Sequence, residues 1–149
     1  MARKFGAAPS SSGKTILCID DQTDFLEAIA SLLTRQGHHV LTASDGTSGL
    51  SLLRSQPVDL LLLDYFMPGM TAEDVLTHVW DPSLQVILLT GYASEKPPRE
   101  MLNRLNIQGY CDKSRGPEEV LLWVDVGLRA ASTVRALDAS RQALRQILS

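Results

Sequence analysis

The sequence predicts a doubly wound α/β domain, on three observations. Short apolar runs alternate with amphipathic stretches, three of those runs are continuous rather than alternating, and polar residues stand directly after four of them. A continuous apolar run suits a parallel strand covered on both faces, and strict strand–helix alternation calls for right-handed crossovers with helices on both sides of the sheet. Polar residues at the carboxyl ends of such strands meet where these sheets bind ligands.

Five strands are expected, at 15–19, 39–42, 58–63, 85–89 and 109–111. Phe25, Leu26, Ile29, Leu32 and Leu33 recur at helical spacing over 24–36, and Gly37 follows as a stop. Leu50, Leu52 and Leu53 mark a second helix over 47–54. Thr71 stands at an N-cap before Val75, Leu76 and Val79, with Glu73 and Asp74 complementing the helix dipole. Residues 98–105 form a short fourth helix, and Gly116-Pro117-Glu118-Glu119 starts the fifth.

That last helix is extended: no proline follows Pro117, and a helix reaching Ser149 is about 50 Å long. Gly127 costs it about 1 kcal/mol and marks either a close contact or a hinge. Beyond Arg129, Val134, Leu137, Leu144, Ile147 and Leu148 form a narrow apolar seam with Arg135, Arg141 and Arg145 between them. The seam reads either as a fraying end or as a dimerisation or signalling helix; it is short of the three or four heptads of a coiled coil. The expected organisation is a disordered N-terminal tail at 1–13, one domain at 14–129 and a helical extension at 130–149. Since the sequence ends inside the helical pattern, a C-terminal output domain is expected in the full-length protein.

A chain of 149 residues, 44% hydrophobic and 21% charged, has room for one core. A net charge of −3 gives no electrostatic drive toward nucleic acid. The longest apolar run, 58–63, is too short to cross a bilayer, and no secretory signal opens the sequence. A cytoplasmic protein with neither nucleic-acid nor membrane binding is expected. Cys18 and Cys111 fall in buried strands and are read as reduced thiols, and His38 and His39 as surface imidazoles.

After the first run come Asp20 and Asp21, after the third Asp64, after the fourth Thr90 and after the fifth Lys113. An adjacent acidic pair alone is an ordinary turn or helix cap; convergence at one sheet edge carries the signal. Clustered carboxylates must raise a pKa or recruit a cation. Mg²⁺ suits the site, since it takes oxygen ligands from one or two carboxylates, waters and phosphate. Asp64 beside it can attack a phosphoryl donor to give an acyl phosphate, with Lys113 and the Thr90 hydroxyl on the phosphate oxygens.

Ile19-Asp20-Asp21, the segment 63–70 around Asp64, Thr90-Gly91-Tyr92 and Tyr110-Cys111-Asp112-Lys113 together resemble the receiver domain of two-component response regulators. The likeness runs from Lys14 into the last helix. The sheet expected is flavodoxin-like, in strand order 2-1-3-4-5, which stands Asp64 near the topological switch point. The resemblance implies phosphorylation of Asp64 by a sensor histidine kinase or phosphotransfer protein. It implies Mg²⁺ held by Asp21, Asp64 and the backbone carbonyl of Phe66, with Asp20 completing the pocket through a water. It also implies a switch: Thr90 moves toward the phosphate and Tyr110 turns inward, remodelling the face of the fourth helix, fifth strand and fifth helix. Such a protein is a regulatory phosphoacceptor with slow autodephosphorylation, not an enzyme.

Ser114 follows Lys113 where the family usually has proline, which removes the usual reason for a cis bond there. Phe66 and Tyr92, each two residues beyond Asp64 and Thr90, either restrict the water that attacks the acyl phosphate or point away from it. Two other readings compete. A phosphorylation-independent scaffold would usually lack some of these acids or the lysine. An aspartate-nucleophile phosphatase wants a second acid where this chain has Phe66.

Overall fold

Leucine and isoleucine stand at consecutive positions in the central strands because both faces of the sheet are covered. The computed structural model describes residues 2–5, 13–79, 81–91 and 99–149. In chain order the elements are β1 (Ala2–Phe5), β2 (Thr15–Ile19), α1 (Thr23–Arg35), β3 (His39–Ala43), α2 (Gly46–Ser55), β4 (Leu60–Asp64), α3 (Ala72–Thr77), β5 (Gln85–Thr90), α4 (Arg99–Arg104), β6 (Gly109–Asp112) and α5 (Pro117–Leu148). The sheet runs β1-β3-β2-β4-β5-β6, with all neighbours parallel except the antiparallel pair β1 and β3. Counted without β1, these are five parallel strands in the expected order 2-1-3-4-5.

The strand runs divide residue by residue between two cores. Ile16, Cys18, Leu60, Leu62, Ile87 and Leu89 face α1 and α5, meeting Leu26, Ile29, Leu33, Val120 and Val124. Leu17, Ile19, Leu61, Leu63, Val86 and Leu88 face the other way, toward Leu50 of α2 and Ala72 and Val75 of α3. Each such side chain taken from water is worth about 1.5–3 kcal/mol, so the sheet edge is a rigid platform for the residues that follow it.

Helix ends obey local chemistry. Thr71 accepts the Asp74 N–H, and Asp74 accepts the Thr71 N–H in return, a complete capping box for α3. Asp45 caps α2 by accepting from the Ser48 N–H at 2.7 Å. Gly116, at φ +100°, turns the chain from a 3-10 turn (Lys113–Arg115) into α5.

Two expectations change. Ala2–Phe5 is not part of a disordered tail: it pairs with the outer edge of β3, from Ala2 opposite Ala43 to Phe5 opposite Val40. An open strand edge offers unpaired backbone groups, and a short antiparallel segment satisfies them without needing a hydrophobic pattern of its own. His39 lies inside β3 and is buried, not on the surface, because β3 is covered by helices and by β1. Both cysteines are buried free thiols, as expected, with two strands between them.

Helix α5 is one unbroken element of 32 residues. Gly127 marks a close contact: a Cβ there would stand 2.7 Å from Leu60 Cδ1 on β4. Val120, Val124, Gly127, Leu128 and Ala131 are buried against the sheet. Farther along, the Arg135 guanidinium forms an ion pair with Asp59. No described helix is long and apolar enough to cross a membrane.

Candidate functional site

The residues that follow β2, β4 and β6 converge because those strands end along one edge. Asp20 leaves β2 with no exposed surface; its backbone N–H donates to Ala43, and its Oδ1 accepts the Gln22 N–H at 2.9 Å. Asp64 closes β4 and is 5% exposed, while Asp21 is open to solvent. Lys113 comes from the 3-10 turn after β6, which Asp112 caps by accepting from both the Ser114 N–H (2.9 Å) and Ser114 Oγ (2.6 Å). A proline at 114 could make neither bond. All described peptide bonds are trans.

Lys113 holds the cluster together. Its Nζ donates to Asp20 Oδ2 at 2.7 Å and to Gln22 Oε1 at 2.9 Å, stands 3.8 Å from Asp64 Oδ1, and lies 5.0 Å from the centre of the Phe25 ring. One ammonium thus serves two carboxylates of a cluster of three, since oxygens of Asp20, Asp21 and Asp64 lie within 4.8 Å of one another. The Asp64 carboxyl is pushed up to about 8, first by burial and then by the Asp20 charge, with Lys113 acting against both. Burial likewise raises Asp20, its hydrogen bond from Lys113 opposing.

This excess of negative charge on oxygen ligands is what a hard divalent cation such as Mg²⁺ fits. Asp21, Asp64, Phe66 and Lys113 line an open cleft of about 400 Å³ together with Gln22 and Phe25, large enough for a phosphoryl group and water.

Of the other residues expected here, Thr90 ends β5 but is buried, and its hydroxyl donates to the Cys111 carbonyl at 3.4 Å. Tyr110 is half-buried against the core on the α2 and α3 side. The Phe66 ring is 59% exposed at the cleft, edge-on to Tyr65 with centroids 5.1 Å apart. Tyr92 lies outside the described residues. Gln22 and Phe25 had not been expected. Their signal was available: Gln22 directly follows the acidic pair, and Phe25 stands three residues on, on the same helical face.

The chain matches the family model described as response regulator receiver domain over residues 16–125. It is 31% identical over 132 residues to a probable transcriptional regulatory protein, TcrX, of Mycobacterium tuberculosis, covering 86% of this chain and 55% of that one. Over 77 residues it is 42% identical to the transcriptional regulatory protein AfsQ1 of Streptomyces coelicolor, covering 51% and 34%. The chain thus spans about half or less of these curated relatives. A response regulator receiver domain protein from Clostridium thermocellum superposes with a TM-score of 0.71 at 26% identity, covering 81% of this chain and 98% of that one. The response regulator TrrA of Thermotoga maritima, solved in complex with Mg(2+)-BeF, gives 0.67 at 29%, covering 77% and 99%. With the acidic pair, Asp64 and Lys113 at one sheet edge and the match extending from β2 into α5, the chain belongs to the response regulator receiver domain family.

Proposed function

We propose that this domain is a phosphorylation switch of a two-component system with Asp64 as the phosphoacceptor. The observation that carries the reading is the Lys113 ammonium, bonded to Asp20 and 3.8 Å from Asp64 Oδ1 at the mouth of an open cleft. An Asp64 oxygen attacks the phosphorus of a phosphohistidine on a sensor histidine kinase or phosphotransfer protein. The O–P bond forms as the N–P bond breaks, and the electron pair leaves with the imidazole nitrogen, which takes up a proton.

Asp21, Asp64 and the Phe66 carbonyl would hold Mg²⁺, with Asp20 acting through a water, and the ion would supply charge neutralisation for the transferring oxygens. Lys113 pairs with a second phosphoryl oxygen. Thr90 exchanges the Cys111 carbonyl for a third, and Tyr110 turns inward, so that the face of α4, β6 and α5 changes. The product is a cytoplasmic signalling state, not a turnover cycle.

Incubation with Mg²⁺ and acetyl phosphate, followed by intact mass, tests this. Wild type should gain one phosphoryl group and Asp64→Ala none; no gain in wild type defeats the reading. Phe66 should shield the acyl phosphate, so the adduct of Phe66→Asn should decay several-fold faster than that of wild type; equal decay removes that role.

The state leaves the domain through α5, and a second copy of the chain is the partner we assign to it. Leu122, Val126, Leu137, Leu144, Ile147 and Leu148 are exposed at 47–78%. At about 100° per residue they share one side of α5, roughly opposite the sheet-facing residues. The helix therefore has two apolar sides, one covered by the sheet and one running from beside the domain to the end. In a parallel pair, Leu137 and Leu144, seven residues apart, meet their own mates, and so do Thr133 and Ser140. Light scattering should show concentration-dependent dimers that Leu137→Glu with Leu144→Glu reduces to monomers; unchanged mass would remove the pairing and leave α5 as a connector to an output domain.

A further inference from the structure

Gln22 occupies the N-cap of α1, at φ −86° and ψ 99°, yet its side chain makes no capping bond. Serine, threonine, aspartate or asparagine would serve a cap better. The side chain reaches instead across 91 residues of sequence to Lys113 Nζ, at 2.9 Å. The amide's orientation follows from chemistry: an ammonium only donates, so the oxygen must face it.

We infer that Gln22 is a positioning residue for phosphoryl transfer, holding the Lys113 ammonium so that one of its N–H bonds is kept for the incoming phosphoryl group. An ammonium has three N–H donors. One goes to Asp20 at 2.7 Å, and a second to Gln22. The third points to no oxygen at bonding distance on Asp64, whose Oδ1 is 3.8 Å away and beyond hydrogen-bond length, so it is open to an oxygen of a phosphoryl group carried on Asp64. Asp20, Gln22 and the Phe25 ring all approach from around the start of α1, so the lysine is braced by that segment, and it lines the open cleft together with Asp64.

A neutral acceptor is the right chemistry for this place. A third carboxylate on Lys113 would divide its charge further and set another negative charge beside an arriving dianion. The amide orients the ammonium without adding to the negative charge. This inference rests on the reading of Asp64 as phosphoacceptor.

Its test uses the full chain with Gln22→Met, of similar length but without an acceptor, and Gln22→Glu, with an acceptor and a charge. The rate of adduct formation with acetyl phosphate is compared with the Mg²⁺ dissociation constant from calorimetry. Gln22→Met should slow phosphorylation about 10-fold, the effect of one oriented charge-assisted hydrogen bond, while Mg²⁺ affinity stays within about twofold. Gln22→Glu should slow phosphorylation at least as much while binding Mg²⁺ more tightly, opposite movements that a purely structural role does not produce. Wild-type rates in both variants would overturn the role of Gln22 alone, as would a fall in rate and Mg²⁺ affinity together. An absence of adduct in wild type would overturn the Asp64 reading beneath it.

Discussion

Strand β4 is bounded by two buried aspartates, and they behave oppositely. Asp59, just before its first residue, is 6% exposed, and Asp64, its last, is 5% exposed. Asp59 accepts the Thr15 N–H at 2.8 Å and pairs with Arg135, and its backbone bonds to both β2 and β5. It ties two neighbouring strands and α5 together at the amino edge. Asp64 faces two further carboxylates and shares one ammonium with Asp20. Burial of a carboxylate therefore does not by itself mark a functional group. The mark is charge that the fold leaves unbalanced, because only that charge has free energy to gain from a cation or a phosphoryl group.

The largest effect that would sharpen the contrast is a crossed pair of losses. Asp64→Ala should lose phosphoryl uptake completely and remain folded. Asp59→Ala should keep uptake and lose about 1–2 kcal/mol of stability in urea denaturation, because the half-buried Thr15 N–H is left without its side-chain acceptor. Uptake lost in Asp59→Ala at temperatures where it is folded would break the distinction.

A smaller effect concerns pH. Asp64 holds its proton up to about 8 in the folded chain, against 3.8 for an ordinary aspartate. Between those values the folded state binds more protons than the unfolded one, so stability falls as pH rises. The contribution of Asp64 to the metal-free protein is fully present below about pH 4 and is lost as pH rises through about 8. Asp20, also raised, acts in the same direction. Asp64→Asn removes the main titration. At pH 8 in chelator it should be more stable than wild type by on the order of 1 kcal/mol, the cleft's water screening the rest. Thermal melts at pH 5 and pH 8 check the sign, and a wild type that gains stability with pH over this range would refute it.

Most of the carboxyl edge was legible in the sequence, because Asp20, Asp64 and Lys113 each follow a strand that a continuous apolar run announces. The order of the parallel strands came with the resemblance to the receiver family, not from the runs themselves. What escaped had no such announcement. Ala2–Phe5 adds to the sheet through backbone bonds, which leave no pattern in four residues. Gln22 stands beside the acidic pair, but its contact with a lysine 91 residues away is made by the fold and not by any local pattern. The two apolar sides of α5 interleave along the sequence, so Leu122 and Val126 were hidden among residues that face the sheet, and only the part beyond Arg129 read as a seam. Asp59 sat inside an apolar run and looked like an interruption of it.

The smallest effect lies where α5 leaves the domain. Arg135 is 56% exposed although its partner Asp59 is buried, so the pair forms at the rim and solvent screens it. An ion pair of this kind is worth about 0–1 kcal/mol, and Arg135→Ala should barely move global unfolding. Asp59 keeps its bond from Thr15 in that variant, which is why removing the arginine costs less than removing the acid. The effect should instead be local. Ala131 is the last buried residue of the helix, and nearly every residue after it is exposed, so among the described residues the Arg135 ion pair is the outermost hold on α5. Without it, hydrogen exchange should quicken from about residue 132 onward, while Val120, Val124 and Leu128 keep their protection. If exchange quickens instead along the whole helix, Asp59 and Arg135 hold more than its exit, and the amino edge is as much a control point as the carboxyl edge.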